Sequence, residues 1–96
     1  MKKTKIIICG VKGRMGSLIY KLAREKKNFE ICGIVENKNH QDIGKKIEDL
    51  VLSDDLSKIA TGKEIVIDFT VPSATMGFLK ICEKKGNPVV IGTTGF

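Results

Sequence analysis

Four short apolar runs along the chain have the composition of β-strands. They are rich in isoleucine and valine and are bounded by glycine, proline or polar residues, which favours strands over helix segments. The first run meets Gly10 and is typical of a strand that is buried on both faces. The four runs occupy residues 5–9, 29–35, 64–69 and 88–91.

Two segments between these runs have helical spacing instead. In residues 14–26, apolar positions recur at i, i+3, i+4 and i+7 and form one face, with charges on the other. A second helix is predicted over 73–85, where Gly86 and Asn87 end it. The two apolar faces consist of Met15, Leu18, Ile19 and Leu22, and of Ala74, Phe78, Ile81 and Cys82.

The middle of the chain has a weaker pattern. Residues 36–53 are mostly polar and predict a loop with a short strand near Val51 and Leu52. A short helix is expected over 54–60, with Ser53 or Asp54 as its N-cap.

Strands that alternate with helices predict an α/β fold. We expect a Rossmann-like, doubly wound parallel sheet that is truncated after its fifth strand. The chain's 96 residues suffice for one small domain or a piece of a larger one.

Composition narrows the class of protein. The formal net charge of +6 is compatible with nucleic-acid binding, but the lysines are scattered over predicted helix surfaces and tryptophan is absent. We therefore interpret them as solvated faces. No apolar run approaches the roughly 20 residues of a membrane span, and the first run is too short for a signal peptide. We expect a cytoplasmic protein.

The residues most often used in metal and nucleophile chemistry are sparse. Cys9, Cys32 and Cys82 form no C-x-x-C pair, so they predict buried thiols rather than a zinc site or a disulfide framework. His40, the one histidine, lies in a polar loop and is interpreted as solvated. We predict no catalytic and no metal-binding residue in this chain.

The first strand runs into a glycine-rich turn at residues 10–16. Gly10 allows a tight bend, and missing side chains let backbone N–H groups approach a pyrophosphate. The helix that follows directs its positive dipole end at that charge. Where the familiar dinucleotide pattern has its second glycine, this chain has Lys12, so a plain strand-to-helix turn is the alternative interpretation.

Three further strand ends come to the same sheet edge in a parallel sheet. Glu36 ends the second strand, 20 residues after Gly16, where a carboxylate would bind an adenosine ribose. A carboxylate there favours NAD over NADP, but Asn37 and Lys38 follow it and leave the preference open. Asp68-Phe69-Thr70 and Gly92-Thr93-Thr94-Gly95 end two later strands, and Asp68 is interpreted as a structural carboxylate.

In combination, the motifs Gly10–Gly16, Glu36, Asp68–Thr75 and Val90–Phe96 resemble dihydrodipicolinate reductase, the 4-hydroxy-tetrahydrodipicolinate reductase of the diaminopimelate route to lysine. The resemblance implies a domain that binds NADH or NADPH. It implies that the pyrophosphate is held by Gly10, Val11, Lys12, Gly13, Arg14 and Met15, and the adenosine ribose by Glu36. It also implies that Phe69 and Thr70 flank the nicotinamide, with Gly92, Thr93 and Thr94 nearby.

The chain departs from the family pattern at two positions and in its length. The family often has glycine in place of Lys12, and members that use NADPH well commonly have arginine in place of Asn37. Family members are more than twice as long, and their second domain binds and protonates the dicarboxylate substrate and builds a tetramer. We expect residues 1–96 to be the N-terminal part of a dinucleotide-binding domain, without that substrate and tetramerisation domain, and inactive alone.

Three other interpretations stay open. The chain would otherwise be the cofactor half of another Rossmann dehydrogenase, a non-enzymatic nucleotide-binding module or, on its charge alone, a nucleic-acid binder. A sheet truncated here would also leave the last strand's edge uncovered. We therefore expect the isolated chain to self-associate.

Overall fold

A computed structural model describes residues 3–92. Within them lie six strands and three helices. Every predicted strand and helix is present, with bounds that differ from the predicted ones by two residues or fewer. In chain order the elements are β1 (Thr4–Cys9), α1 (Arg14–Glu25), β2 (Phe29–Val35), β3 (Lys46–Ile47), β4 (Leu50–Ser53), α2 (Leu56–Ile59), β5 (Ile65–Asp68), α3 (Pro72–Lys85) and β6 (Val89–Ile91).

The strands form one sheet in the order β3-β4-β2-β1-β5-β6. Five of them pair in parallel, which confirms the predicted doubly wound sheet, and β3 adds an antiparallel edge. The β3–β4 hairpin lies where the sequence predicted mostly loop. Helix α1 anchors the turn of this hairpin, because its Arg24 side chain pairs with Glu48 and, at 3.0 Å, with Asp49.

The core has two layers, one on each face of the sheet. Since side chains alternate along a strand, β1 sends Ile7 and Cys9 to one layer and Ile6 and Ile8 to the other, and all four are buried. Helices α2 and α3 cover the first layer and α1 covers the second. The interpretation of β1 as a strand buried on both faces is confirmed.

Helix α1 turns only part of its predicted apolar face to the sheet, where Ile19 packs against the core. Met15, Leu18 and Leu22 remain 45–49% exposed, whereas Gly16 and Ala23 are buried. The cause is close packing at the start of the helix, where a Cβ on Gly16 would lie 1.9 Å from the Gly10 carbonyl oxygen. Small residues therefore face inward.

The short helix α2 corrects a predicted cap. Asp55 is the N-cap and accepts a hydrogen bond from the Ser57 amide at 3.0 Å, so the prediction of Ser53 or Asp54 was wrong. Ser53 instead accepts from the Asp55 amide with its hydroxyl, which holds the capping residue in place. The predicted end of α3 is confirmed, since Gly86 adopts a left-handed φ of 85° there.

The strand order reverses between β1 and β5. Chain connections leave β1 toward β2 on one side and reach β5 on the other, so a crevice opens at the carboxyl ends of these strands. The Phe69 amide donates to the Cys9 carbonyl oxygen at 3.0 Å and ties the two ends together. None of the helices in residues 3–92 has the length and apolar character needed to cross a bilayer.

Candidate functional site

The glycine turn is shaped by contacts that exclude side chains. Gly10 has a φ of +81°, and its amide donates to the Val35 carbonyl oxygen at 2.9 Å. Its own carbonyl oxygen accepts the Gly13 amide at 3.0 Å and faces Gly16. The turn therefore holds the start of α1 close against the end of β1.

The first turn of α1 presents backbone donors without acceptors. The N-cap, Gly13, has no side chain to cap the helix, and the first turn contains no acidic residue. The amides of Arg14, Met15 and Gly16 have no hydrogen-bond partner within the described part of the chain. Three free donors at the positive end of a helix dipole make this position suited to an anion.

Glu36 stands beside this turn at the end of β2. Its Oε2 accepts the Lys12 amide at 2.9 Å and its Oε1 accepts the Asn37 amide at 3.0 Å. A carboxylate has about four acceptor positions, so each oxygen keeps one for a further donor. Glu36 is thus fixed in place by the backbone and still able to bind a pair of hydroxyl groups.

A cluster of charges borders Glu36 on the loop that follows β2. Asp42 pairs with the Lys12 ammonium at 3.4 Å and with the Lys45 ammonium at 3.3 Å. The bond from Lys45, opposed by partial burial and assisted by the one from Lys12, holds the pKa of Asp42 below its usual range. The Asp42 amide donates to His40 Nδ1 at 3.0 Å, so the predicted solvated histidine is half-buried and supports this loop.

The ends of β5 and β6 form the other side of the crevice. The Gly92 amide donates to the Asp68 carbonyl oxygen at 2.8 Å, and a Cβ on Gly92 would lie 2.1 Å from Cε1 of the Phe69 ring. Thr70 follows Phe69 and is half-buried. A Cβ on Gly10 would lie 3.1 Å from the Phe69 carbonyl group and 3.2 Å from the Thr70 methyl group, so these two residues face the glycine turn across the sheet edge.

Together these elements enclose an open cleft of about 500 Å³. Most of the residues predicted for the site line this cleft. The structure also places Asn37 there, the residue that directly follows Glu36 in the sequence. It also adds residues from α3 and the turn before it. The predicted lining residues are Gly10, Gly13, Arg14, Met15, Glu36, Phe69, Thr70 and Gly92, and the further ones from β5 to α3 are Val71, Pro72, Ala74 and Phe78.

Four predicted site residues lie elsewhere or outside the described range. Val11 is 4% exposed and packs in the core beneath the turn, and the Lys12 side chain points to Asp42 rather than lining the cleft. Thr93 and Thr94 fall outside the described residues.

The described residues offer no metal centre and no activated thiol. Between residues 3 and 92, no group of three or more histidine, cysteine or acidic side chains is placed to hold a metal ion. The three cysteines are free, and Cys9 and Cys82 are buried. Burial first, and the nearby Asp68 carboxylate second, raise the pKa of the Cys9 thiol far above its usual range, so it stays protonated.

Comparison with known proteins assigns this architecture. The family model described as dihydrodipicolinate reductase, N-terminus, matches residues 4–96. The chain belongs to this family. The resemblance inferred from the sequence motifs is confirmed.

Curated relatives carry the name 4-hydroxy-tetrahydrodipicolinate reductase. The protein from Pelagibacter ubique is 42% identical over 96 residues, which are 100% of this chain and 36% of the relative. The protein from Citrifermentans bemidjiense is 35% identical over 96% of this chain and 38% of its own length. The chain thus spans between a third and two fifths of the relatives it matches.

Solved structures share the fold of this dihydrodipicolinate reductase domain. A dipicolinate-bound dihydrodipicolinate reductase from Paenisporosarcina sp. TG-14 superposes with a TM-score of 0.80 at 20% identity, over 98% of this chain and 38% of that one. Aspartate semialdehyde dehydrogenase II from Vibrio cholerae, complexed with ASA, gives a TM-score of 0.75 at 12% identity. The superposition covers 97% of this chain and 31% of that one. At such identities the likeness establishes the fold alone.

Proposed function

We propose that this chain is the nucleotide-binding part of an NAD(P)H-dependent 4-hydroxy-tetrahydrodipicolinate reductase. One observation carries the proposal. The free amides at the start of α1 and the backbone-fixed carboxylate of Glu36 face the same cleft. An anion site next to a site for vicinal hydroxyls matches the pyrophosphate and ribose of a dinucleotide.

The pyrophosphate fits the glycine turn. The amides of Arg14, Met15 and Gly16 point outward from the helix start with no acceptor in residues 3–92. Gly10 and Gly13 line the cleft without side chains that would obstruct the phosphates. Arg14 adds a positive charge at the same position.

The charges near Glu36 support NADH as the preferred cofactor. A carboxylate binds ribose hydroxyls and repels a 2′-phosphate. Lys12, a cation within the turn, is already paired with Asp42, which weakens its attraction for that phosphate. NADPH is therefore expected to bind more weakly than NADH.

The nicotinamide is assigned to the far end of the cleft. Phe69, Thr70 and Gly92 border it there, and Thr93 and Thr94 follow directly in sequence. When bound, the nicotinamide supplies the hydride for the reduction. The described cleft residues include no histidine, lysine or cysteine to protonate a substrate, so we propose that the chain binds cofactor without turning it over.

The test is calorimetric titration of the 96-residue chain with NADH and with NADPH at physiological salt. We expect saturable binding of both, tighter for NADH. Glu36→Ala should weaken NADH binding roughly 30-fold, because charge-assisted hydrogen bonds to the ribose are lost. Glu25→Ala, which removes an exposed carboxylate from α1, is the matched control and should leave the affinity unchanged.

Three results would contradict the proposal. Absence of binding by a folded chain would refute the nucleotide site. Equal affinities of the Glu36 and Glu25 variants would refute the ribose assignment. Measurable reductase activity of the chain by itself would refute the statement that it does not turn over.

We further propose that the isolated chain self-associates and that the family enzyme works in the cytoplasm as a homo-oligomer. Strand β6 has no neighbour on its outer side within residues 3–92, and Val90 and Ile91 are 55% and 42% exposed. An uncovered apolar edge favours pairing with a second copy. Sedimentation across a concentration series should show association, and a monomer at high concentration would exclude it.

A further inference from the structure

Asp68 lies at the carboxyl end of β5 and is fully buried. Its Oδ1 accepts the Thr70 amide at 2.9 Å and lies 2.5 Å from the Thr70 hydroxyl oxygen. An oxygen that accepts a backbone amide is an acceptor, so the proton in the shorter contact belongs to Thr70. The single hydroxyl proton of Thr70 is therefore directed away from the cleft and into the protein.

This hydrogen bond decides what Thr70 can offer to a ligand. A threonine hydroxyl has one proton to donate and two lone pairs that accept. With its proton committed to Asp68, Thr70 can only accept. The Thr75 hydroxyl lies 3.2 Å from Thr70 Oγ1, and a hydrogen bond between them takes its proton from Thr75. One lone pair of the Thr70 hydroxyl oxygen is then left over, and Thr70 is one of the residues that line the cleft.

Asp68 also fixes the surroundings of Thr70. Its carbonyl oxygen accepts the Gly92 amide, which sets the end of β6 against the Phe69 ring. Asp68 thus holds the hydroxyl group and the two backbone segments around it in one arrangement. Its Oδ2 has no hydrogen-bond partner in the described residues, so the carboxylate is held chiefly by its bonds to Thr70.

We propose that Asp68 is a positioning residue that makes Thr70 an obligate acceptor, and that Thr70 thereby selects a ligand with an N–H donor at this end of the cleft. On the proposed function, on which this inference rests, that donor is the carboxamide of the nicotinamide. A ligand with a ketone in the same place offers only a second acceptor and is disfavoured.

The test compares NADH with its reduced acetylpyridine analogue, in which a methyl ketone replaces the carboxamide. Dissociation constants are measured by calorimetry, and ADP-ribose, which lacks the nicotinamide, reports whether a variant is folded. We expect the chain to bind NADH about tenfold more tightly than the ketone analogue. A factor of this size corresponds to the loss of one hydrogen bond, here the one that the carboxamide N–H donates to Thr70.

Variants of both residues separate positioning from general structure. Thr70→Val should bring the ratio of the two affinities close to one, and Thr70→Ser should retain it. Asp68→Ala frees the Thr70 hydroxyl to donate to a ketone and should also bring the ratio close to one. Asp68→Asn keeps an acceptor oxygen and should restore most of the preference. All four should bind ADP-ribose like the unmodified chain.

The outcomes are distinct. A chain that binds neither NADH nor ADP-ribose refutes the proposed function. A chain that binds both but does not favour NADH over the ketone analogue refutes this inference alone. The inference also fails if Asp68→Ala binds ADP-ribose normally and keeps the full preference. Should Asp68→Ala not fold, retention of the preference by Thr70→Val overturns it.

Discussion

Strand β5 has a buried carboxylate at each end, and the two are bonded differently. Glu64, before the amino end, is 4% exposed and accepts hydrogen bonds from the amide and hydroxyl of Thr61 and from the Asn87 side chain. Asp68, at the carboxyl end, has one oxygen without a partner among residues 3–92. The polar groups at the amino end satisfy one another, while those at the carboxyl end surround a cleft.

The groups at the amino end of β5 therefore stabilise the fold, whereas the groups at its carboxyl end are available to bind a ligand. At the amino end, Asn87 also accepts the Gly62 amide and donates to the Glu64 carbonyl oxygen, so the network joins the starts of β5 and β6. At the carboxyl end, the free amides of α1 and the spare acceptors of Glu36 and Thr70 remain for a ligand. Substitutions at the two ends should therefore have different consequences.

The largest effect is expected at the amino end. Glu64→Ala removes the acceptor of the Thr61 amide and hydroxyl and one of the two acceptors of the Asn87 side-chain amide. It should lower the free energy of unfolding by about 3 kcal/mol. The NADH affinity of the folded fraction should be unchanged, because Glu64 is remote from the cleft. Urea unfolding and calorimetric titration measure the two quantities. Glu83→Ala, on the exposed side of α3, is the control and should change neither.

A large loss of NADH affinity in folded Glu64→Ala would contradict this prediction, because it would show that the amino end of β5 influences binding at the carboxyl end.

Acid should reproduce this effect in the unmodified chain. Burial acts to raise the pKa of Glu64, but hydrogen bonds from Thr61 and Asn87 outweigh it and lower that pKa from 4.5 to about 2. A carboxyl whose pKa is lower in the folded state stabilises the fold above its unfolded pKa and loses that contribution as pH falls. Stability should therefore decrease from about pH 4.5 towards pH 2, by on the order of 3 kcal/mol.

Urea unfolding over a pH series checks this, with Glu64→Ala as the reference. The variant should show a shallower decline over the same interval. Parallel curves for the two proteins would assign the acid dependence to other groups.

The two ends also differ in how far the sequence predicts them. Glycine at positions 10 and 92 and the carboxylate at 36 follow strand ends in the sequence, so the parallel topology alone brings them to one edge. The Glu64–Asn87 network joins residues 23 positions apart through side-chain geometry that no periodicity encodes. The burial of Gly16 on α1 likewise does not follow from the apolar periodicity, because it depends on how closely Gly16 approaches Gly10.

The smallest effect is expected where charges are exposed at the carboxyl edge. Asp42→Asn removes the partner of Lys12 without removing a buried group, since the Asp42 side chain is 25% exposed. The freed ammonium can then attract a 2′-phosphate, so NADPH affinity should rise about threefold while NADH affinity stays the same, a shift of the size that exposed ion pairs usually give. The shift should shrink at high salt.

Titration with both nucleotides, with Asp54→Asn as an exposed control, measures this ratio. If the ratio does not change in Asp42→Asn, Lys12 does not contribute to cofactor choice, and the preference depends on Glu36 alone. If stability falls instead, the loop after β2 is part of the structural framework. The difference between the ends of β5 would then not extend to the exposed charges around the cleft.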